Sequence, residues 1–138
     1  MTAGCGPAPV PAPARPVMKE DPCTDRLDEI TGALLMYYSL HKKLPANLDR
    51  LRTLDAKLPL DCPVCGRPYD YEPLGVPLPG IQGRAIIFDA QPCHQDLIGN
   101  KLLPTRRAVV LEPPRSGKPL KAGVTIIPEE DFRKAIGP

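Results

Sequence analysis

The chain has 138 residues, enough for one small domain, with 18 basic and 16 acidic residues and a formal net charge of +2. Because the charges are interleaved and the sequence has no Trp and only two Phe, the composition excludes the basic stripe with stacking aromatics that is typical of nucleic-acid binding. No apolar run approaches the roughly 20 residues of a membrane-spanning helix, so none is predicted.

The first 20 residues are predicted to be a disordered, extended tether. Five of the ten residues from 7 to 16 are proline, which supplies no N–H for a helix or a sheet ladder. The tether contains Thr2-Ala3-Gly4-Cys5-Gly6, which resembles the cleavage box of bacterial lipoproteins. This resemblance implies a lipid anchor on Cys5 if a leader precedes Met1. The alternative is a tail that merely contains a cysteine.

Residues 21–138 are predicted to form the domain, and they open with a long helix. Asp21 suits the capping position and Pro22 the first helical position, and the helix should end before Pro45. A second, shorter helix is predicted at residues 46–54, with its leucines on one face. The apolar face of the long helix recurs at helical spacing, at Leu27, Ile30, Leu34, Tyr38 and His41.

After Pro59 the pattern changes to that of strands, which are predicted at 69–72, 85–89, 107–112 and 124–127. The segments 75–80 and 91–106 are expected to be loops, and a turn is expected at 113–117. Pro128 and the three acids after it start a last short helix. The predicted fold class is α+β: a long N-terminal helix and a short helix packed on a small antiparallel sheet, with a short C-terminal helix.

The order of these elements resembles the globular head of type II secretion pseudopilins and related prepilin-like proteins. The match rests on the long helix, on Pro45-Ala46-Asn47-Leu48-Asp49-Arg50-Leu51 and on Tyr69-Asp70-Tyr71. It implies a non-catalytic scaffold domain that contacts a protein partner. Two features depart from the family. A proline-rich segment replaces the apolar first half of the helix, and the loop at 91–106 offers only Asp96 for the calcium that several such heads bind.

The sharpest chemical motif is Cys62-Pro63-Val64-Cys65-Gly66. Two thiolates at this spacing can share a tetrahedral metal, and a structural site needs four ligands. Setting Cys5 aside leaves an even set of cysteines in the domain. The alternatives to a metal are a disulfide from Cys62 to Cys65 or Cys93, or free buried thiols, with no cofactor. The predicted zinc ligands are Cys62, Cys65, Cys93 and His94.

Other chemistry has simpler explanations. A thioredoxin-type redox pair needs a helix directly after its first cysteine, and Gly66 and Pro68 interrupt one. Adjacency alone does not make Cys93 and His94 a nucleophile and its base, and Asp89 at a strand end is interpreted as turn chemistry. Because no GxSxG, HExxH, P-loop or GxGxxG motif occurs, the chain is predicted not to be an enzyme.

The two resemblances together imply a non-catalytic, extracytoplasmic, pseudopilin-like domain of a bacterial secretion or pilus-like assembly. The domain would be either anchored to the membrane by a lipid on Cys5 or cut away from the membrane and periplasmic. It would bind a protein partner, no nucleic acid, and a membrane only through that anchor. If Met1 is the true start and no signal lies upstream, a cytoplasmic location is predicted instead. The alternative function is a small interaction module built around structural zinc at Cys62, Cys65, Cys93 and His94.

Overall fold

The structure is a computed structural model that describes residues 21–112 and 119–137. The predicted tether with Cys5 lies outside these residues, as does the predicted turn at 113–117. The antiparallel five-stranded sheet with its helices confirms the α+β class. In chain order the elements are helix α1 (Pro22–His41), a 3-10 helix (Leu48–Thr53), strands β1 (Asp70–Pro77), β2 (Arg84–Phe88), β3 (His94–Ile98), β4 (Lys101–Glu112) and β5 (Lys121–Pro128), and helix α2 (Glu129–Ile136).

Helix α1 begins where the sequence predicts. The Asp21 side chain accepts a hydrogen bond from the Cys23 N–H at 3.0 Å, and Pro22 takes the first helical position. At the other end Lys42 adopts left-handed geometry, with φ 60°, and its N–H donates to the Tyr38 carbonyl. Among the described residues, no helix combines the length and the apolar character that crossing a bilayer requires.

The predicted second helix is present as the shorter 3-10 helix rather than over residues 46–54. Asn47 caps it by accepting from the Arg50 N–H at 3.2 Å. In 3-10 geometry side chains three residues apart are eclipsed, so Leu48 and Leu51 lie on one line and are both buried. The leucine spacing therefore suits the tighter helix.

The sheet is built around the long strand β4. Strands β2 and β3 pair with one edge of β4, one after the other, and β5 pairs with the opposite edge. Ala108 shows this arrangement, since it lies opposite Phe88 of β2 and Thr125 of β5. The chain between β2 and β3 therefore turns beside the middle of β4. This turn carries Asp89 and Cys93.

The prediction of a loop at 91–106 is wrong over β3 and the first half of β4. These strands form a hairpin, and Gly99 in its turn has φ 66°. The cross-strand pair Leu97 and Leu102 is 61% exposed at each residue. Because the hairpin tip buries no apolar face, it lacks the alternating pattern by which strands are recognised.

Strand β1 also extends further than predicted, into the segment 75–80 that was expected to be irregular. Its pairing with β2 shifts register between Tyr71 and Val76, as a bulge does. Gly75, with φ 80°, lies in this bulge. A bulge accommodates the glycine within a strand, which the sequence pattern does not reveal.

The two faces of the sheet carry separate apolar cores. Val109 faces the core under α1, and its neighbour Ala108 faces the core under α2, as the alternation of a strand requires. Phe132 of α2 centres the second core, where its ring lies 4.8 Å from that of Phe88. The core under α1 is larger and includes Leu27, Ile30, Leu34, Leu51, Leu58, Tyr69 and Ile87, together with Cys23 and Cys62.

Candidate metal centre

Residues 62–67 form a tight turn that we call the knuckle. It is closed by the Gly66 N–H, which donates to the Cys62 carbonyl at 2.8 Å. Gly66 has φ 71°, a conformation that glycine adopts without steric cost. The N–H groups of Val64 and Cys65 both hydrogen-bond the Cys62 sulfur. These donors favour negative charge on the sulfur and so offset part of the effect of burial on the Cys62 thiol.

The turn between β2 and β3, together with the first residue of β3, brings three more side chains to the knuckle. The Cys93 Sγ lies 3.9 Å from the Cys62 Sγ, and the His94 Nε2 lies 3.7 Å from the same sulfur. Asp89 is fully buried, and its Oδ2 lies 3.1 Å from the His94 Nε2. The Arg107 N–H donates to that oxygen at 2.7 Å, so strand β4 fixes the carboxylate.

The first turn of α1 supplies a further donor, the fully buried Cys23. Its Sγ lies 3.7 Å from the Cys62 Sγ and 3.7 Å from the Asp89 Oδ1. The Tyr69 hydroxyl lies 3.0 Å from the same sulfur. Since the Asp21 cap fixes the first helical turn, the position of Cys23 follows from the helix start.

These six donors form two overlapping groups, and the ligand atoms of each group all lie within 4.8 Å of one another. Sulfurs bound to one tetrahedral zinc at about 2.3 Å are about 3.8 Å apart, close to the two Sγ–Sγ separations above. The buried Cys, Asp and His side chains are therefore within metal-binding distance of one another. The knuckle group is Cys62, Cys65, Cys93 and Asp89; the helix group is Cys23, Cys62, Asp89 and His94.

Burial shifts the pKa values at the centre, and the thiols and the carboxylate end with shifts in opposite directions. Burial raises the pKa of the Cys62 thiol, although the Cys65 and Val64 N–H groups lower it in part. Burial also raises the pKa values of Cys23 and Cys93. It acts on Asp89 too, but hydrogen bonds from His94 and the Arg107 N–H outweigh it and hold the Asp89 pKa below its ordinary value. The centre thus contains a buried carboxylate beside three thiols whose pKa values are raised, and a bound cation would favour the ionised form of these thiols.

Arg107 ties this centre to the rest of the fold. Its guanidinium donates to Asp21 at 2.6 Å and pairs with both oxygens of Asp96, while its backbone N–H holds Asp89. One residue of β4 therefore fixes the start of α1, which carries Cys23, and the carboxylate common to both groups. Asp96, the acid that the calcium site of the resembled family would need, is committed to this ion pair.

The predicted ligands converge only in part. Cys62, Cys65 and Cys93 lie together in the knuckle group, whereas His94 belongs with Cys62 to the helix group. The assignment of Asp89 to turn chemistry is wrong, because its side chain is fully buried at the centre. The hydrogen bond from the Arg107 N–H that holds Asp89 joins two strands, and no local sequence pattern predicts it.

Cys23 was also missed as a ligand. Its only signal was membership of the even set of four cysteines that remains without Cys5. All four of these cysteines are free thiols, and the 3.9 Å between the Cys62 and Cys93 sulfurs is well beyond the roughly 2.05 Å of a disulfide bond. The knuckle is followed by the isolated bridge at Pro68 and by β1 rather than by a helix. It therefore lacks the helix terminus of a thioredoxin-type pair.

Comparison of the chain with protein-family models, with curated proteins and with solved structures finds no match.

Proposed function

We propose that this chain is a non-catalytic interaction domain whose centre is stapled by a structural zinc ion in the knuckle group. The observation that carries the proposal is the approach of Cys93 to within 3.9 Å of a Cys62 sulfur that already accepts two backbone N–H groups. Three thiolates and a carboxylate form a donor set that suits tetrahedral zinc.

The staple has a clear structural task. Between the 3-10 helix and β1, residues 54–69 contain no helix or strand beyond one isolated bridge at Asp61 and Pro68. Segments of this length with no secondary structure of their own are uncommon in compact domains, and this one is held by Leu58 and Tyr69 in the core under α1. A zinc ion bound by Cys62 and Cys65 on one side and by Asp89 and Cys93 on the other would attach this segment to the sheet.

A structural role is favoured over catalysis because the knuckle group offers four protein donors. A tetrahedral ion that they bind keeps no open position for substrate or water. A groove of about 700 Å³ lies on the other face of the sheet, lined in part by Phe88, Arg106 and Phe132. Its arginine is engaged by the two carboxylate oxygens of Glu129 at 2.6 and 3.0 Å, so it is not poised as a substrate anchor.

The proposal is tested by the metal content of the full chain, purified without chelator, given Zn²⁺ under reducing conditions and desalted. We expect at least one zinc per chain by native mass spectrometry. The variant Cys65→Ser should lose one ion, because Cys65 belongs only to the knuckle group. The matched control Val64→Ser, at a half-exposed position of the same turn, should lose none. A wild-type chain without zinc would overturn the proposal.

A second proposal is that the domain works as a pseudopilin-like head, held at a membrane by a lipid on Cys5. It is supported by the order of elements, in which a 20-residue helix precedes an antiparallel sheet and an acidic first turn opens the final helix. The exposed apolar residues Met36 and Leu40 on α1 give this helix a surface for a protein partner.

The second proposal is tested in the native cells by intact mass and fractionation. A lipid-anchored head predicts that the mature chain begins at a diacylated Cys5 and sediments with membranes. A mature chain that retains an unmodified Met1 and stays in the cytosol contradicts the anchor, while the zinc proposal is unaffected.

A further inference from the structure

We infer that the centre takes two divalent cations of the Zn²⁺ class, one in the knuckle group and one in the helix group, bridged by the Cys62 thiolate and the Asp89 carboxylate. This inference rests on the proposed zinc function and extends it to a second site. Six side chains converge, a tetrahedral zinc takes four, and the two groups share two members.

The helix group has the geometry of a tetrahedral site in its own right. The distances from the Cys62 Sγ to the Cys23 Sγ and to the His94 Nε2 are both 3.7 Å. Asp89 lies 3.7 Å from the Cys23 Sγ through Oδ1 and 3.1 Å from the His94 Nε2 through Oδ2. Ligands on one zinc are about 3.8 Å apart for two sulfurs, about 3.6 Å for sulfur with nitrogen or oxygen, and about 3.4 Å for nitrogen with oxygen. With either Asp89 oxygen as the fourth ligand, three edges of the tetrahedron are therefore close to their required lengths.

The two shared residues are those whose chemistry permits sharing. A thiolate sulfur has lone pairs for two metals, and a carboxylate has two oxygens. His94, which offers one ring nitrogen to the centre, lies at the helix-group end, and Cys65 and Cys93 lie at the knuckle end. Each terminal ligand thus serves one ion, and the bridging positions fall on Cys62 and Asp89.

Charge also favours a second ion. Three thiolates and one carboxylate in the knuckle group carry four negative charges, so a single divalent ion leaves two of them uncompensated. A second divalent ion, bound with the Cys23 thiolate, reduces the excess to one. Cys23, Asp89 and His94 are each at most 8% exposed, and uncompensated charge is costly in such a setting.

The other polar contacts around the helix group are compatible with metal binding there. The Tyr69 hydroxyl lies 3.0 Å from Cys23 and can donate to its thiolate, and the Arg107 N–H supports Asp89. The Arg107 guanidinium is committed to Asp21 and Asp96, so it does not supply the missing positive charge. Such outer hydrogen bonds orient metal ligands and are part of a built site.

The test is zinc stoichiometry of the full chain by native mass spectrometry, after the same reconstitution. We expect two zinc ions per chain in the wild type, one in Cys23→Ser and one in His94→Gln. Cys5→Ser, which removes a thiol outside the described residues, is the matched control and should keep two. X-ray absorption at the zinc edge of the wild type should show a metal–metal distance of about 3.5–4 Å. Because this measurement uses the wild-type protein, it does not depend on whether the variants fold.

The possible results distinguish the zinc function from the second zinc site. No zinc in the wild type overturns both the zinc function and this inference. One zinc, without a metal–metal distance and unchanged in Cys23→Ser, overturns this inference and leaves the knuckle site standing. One zinc that is lost in Cys23→Ser but kept in Cys65→Ser also overturns it, and moves the structural ion to the helix group.

Discussion

Two neighbouring arginines of β4 anchor the two faces of the sheet, and the two faces differ in how fully their charges are paired. On the α2 face, Arg106 donates to both carboxylate oxygens of Glu129 and to the Asp89 carbonyl, and its guanidinium lies 4.3 Å from the centre of the Phe132 ring. On the α1 face, Arg107 engages Asp21 and Asp96. Each arginine thereby ties a helix start to the sheet.

The difference lies in what surrounds each ion pair. In the Arg106 cluster the Glu129 carboxylate is held by two cations, the buried Arg106 at 2.6 Å and the exposed Arg133 at 3.0 Å. On the other face, the Arg107 guanidinium is used by two carboxylates, and a third carboxylate, Asp89, lies among four thiols. One face satisfies its own charges, whereas the other has donors in excess, and this excess is the physical argument for a metal.

The largest effect should come from Cys62→Ser, which removes the sulfur common to both donor groups. We expect the zinc content to fall to zero and the free energy of unfolding to drop by about 5 kcal/mol or more, since loss of a structural metal is among the most costly single changes. Denaturant unfolding and native mass spectrometry measure these. Val64→Ser should stay within about 0.5 kcal/mol of the wild type. A Cys62→Ser protein as stable as that control would contradict the proposed staple.

The next largest effect should come from replacing Arg106 or Arg107, and the two variants should differ. Removing one partner of a buried pair costs about 3–5 kcal/mol, so Arg106→Met and Arg107→Met should both destabilise the domain. Arg107→Met should cost more, because two carboxylates lose their cation while Glu129 keeps Arg133. Only Arg107→Met should weaken zinc binding, by about tenfold or more, as measured by competition with a chromophoric chelator. Equal loss of zinc affinity in both variants would remove the asymmetry between the faces.

Acid should act on both faces through depressed carboxyl pKa values. Burial alone would raise the pKa of Glu129, but Arg106 and Arg133 outweigh it and lower that pKa; Arg107 and Thr105 lower the pKa of Asp96 in the same way. The stabilisation is complete above the ordinary values of 4.5 and 3.8 and is lost as pH falls through the lower folded values.

We therefore expect the melting temperature to fall by roughly 5 °C or more between pH 6 and pH 3. Glu129→Gln, which has no carboxylate to protonate at this position, should show a smaller decrease. Zinc release, followed with a fluorescent indicator during the same titration, distinguishes the metal face from the Arg106 face, since acid also protonates thiolate ligands. An acid response that Glu129→Gln leaves unchanged would contradict the role of the Arg106 cluster.

The smallest effect should lie at the end of α1 remote from the centre. Lys42 has φ 60°, a left-handed conformation that costs a non-glycine residue about 1 kcal/mol. Lys42→Gly should raise the free energy of unfolding by about 0.5 kcal/mol, after allowance for the greater freedom of glycine in the unfolded chain. Lys42→Ala keeps the strain and should not stabilise. Zinc content should be unchanged in both, which checks that stability and metal binding can be separated.

Local sequence signals determined the helices and the main strands. A capping Asp21 with Pro22 predicted the start of α1, and apolar residues predicted the central parts of β2, β4 and β5, because such signals act between near neighbours in the chain. Where a strand buries little, as at the exposed Leu97 and Leu102 of the hairpin, the signal vanished and β3 was missed. The bulge at Gly75 was missed for a related reason, since it depends on the partner strand.

The sequence by itself therefore determined the α+β class and the knuckle cysteines, whose spacing is local. Only the tertiary structure decided which residues join them. Asp89 and Cys23 are 27 and 39 positions from Cys62 in the chain, and they reach it because β4 pairs with β2 and β3 along one edge and because Arg107 holds the start of α1. Such contacts follow from strand pairing and charge pairing over long separations, which a pattern of neighbouring residues does not encode.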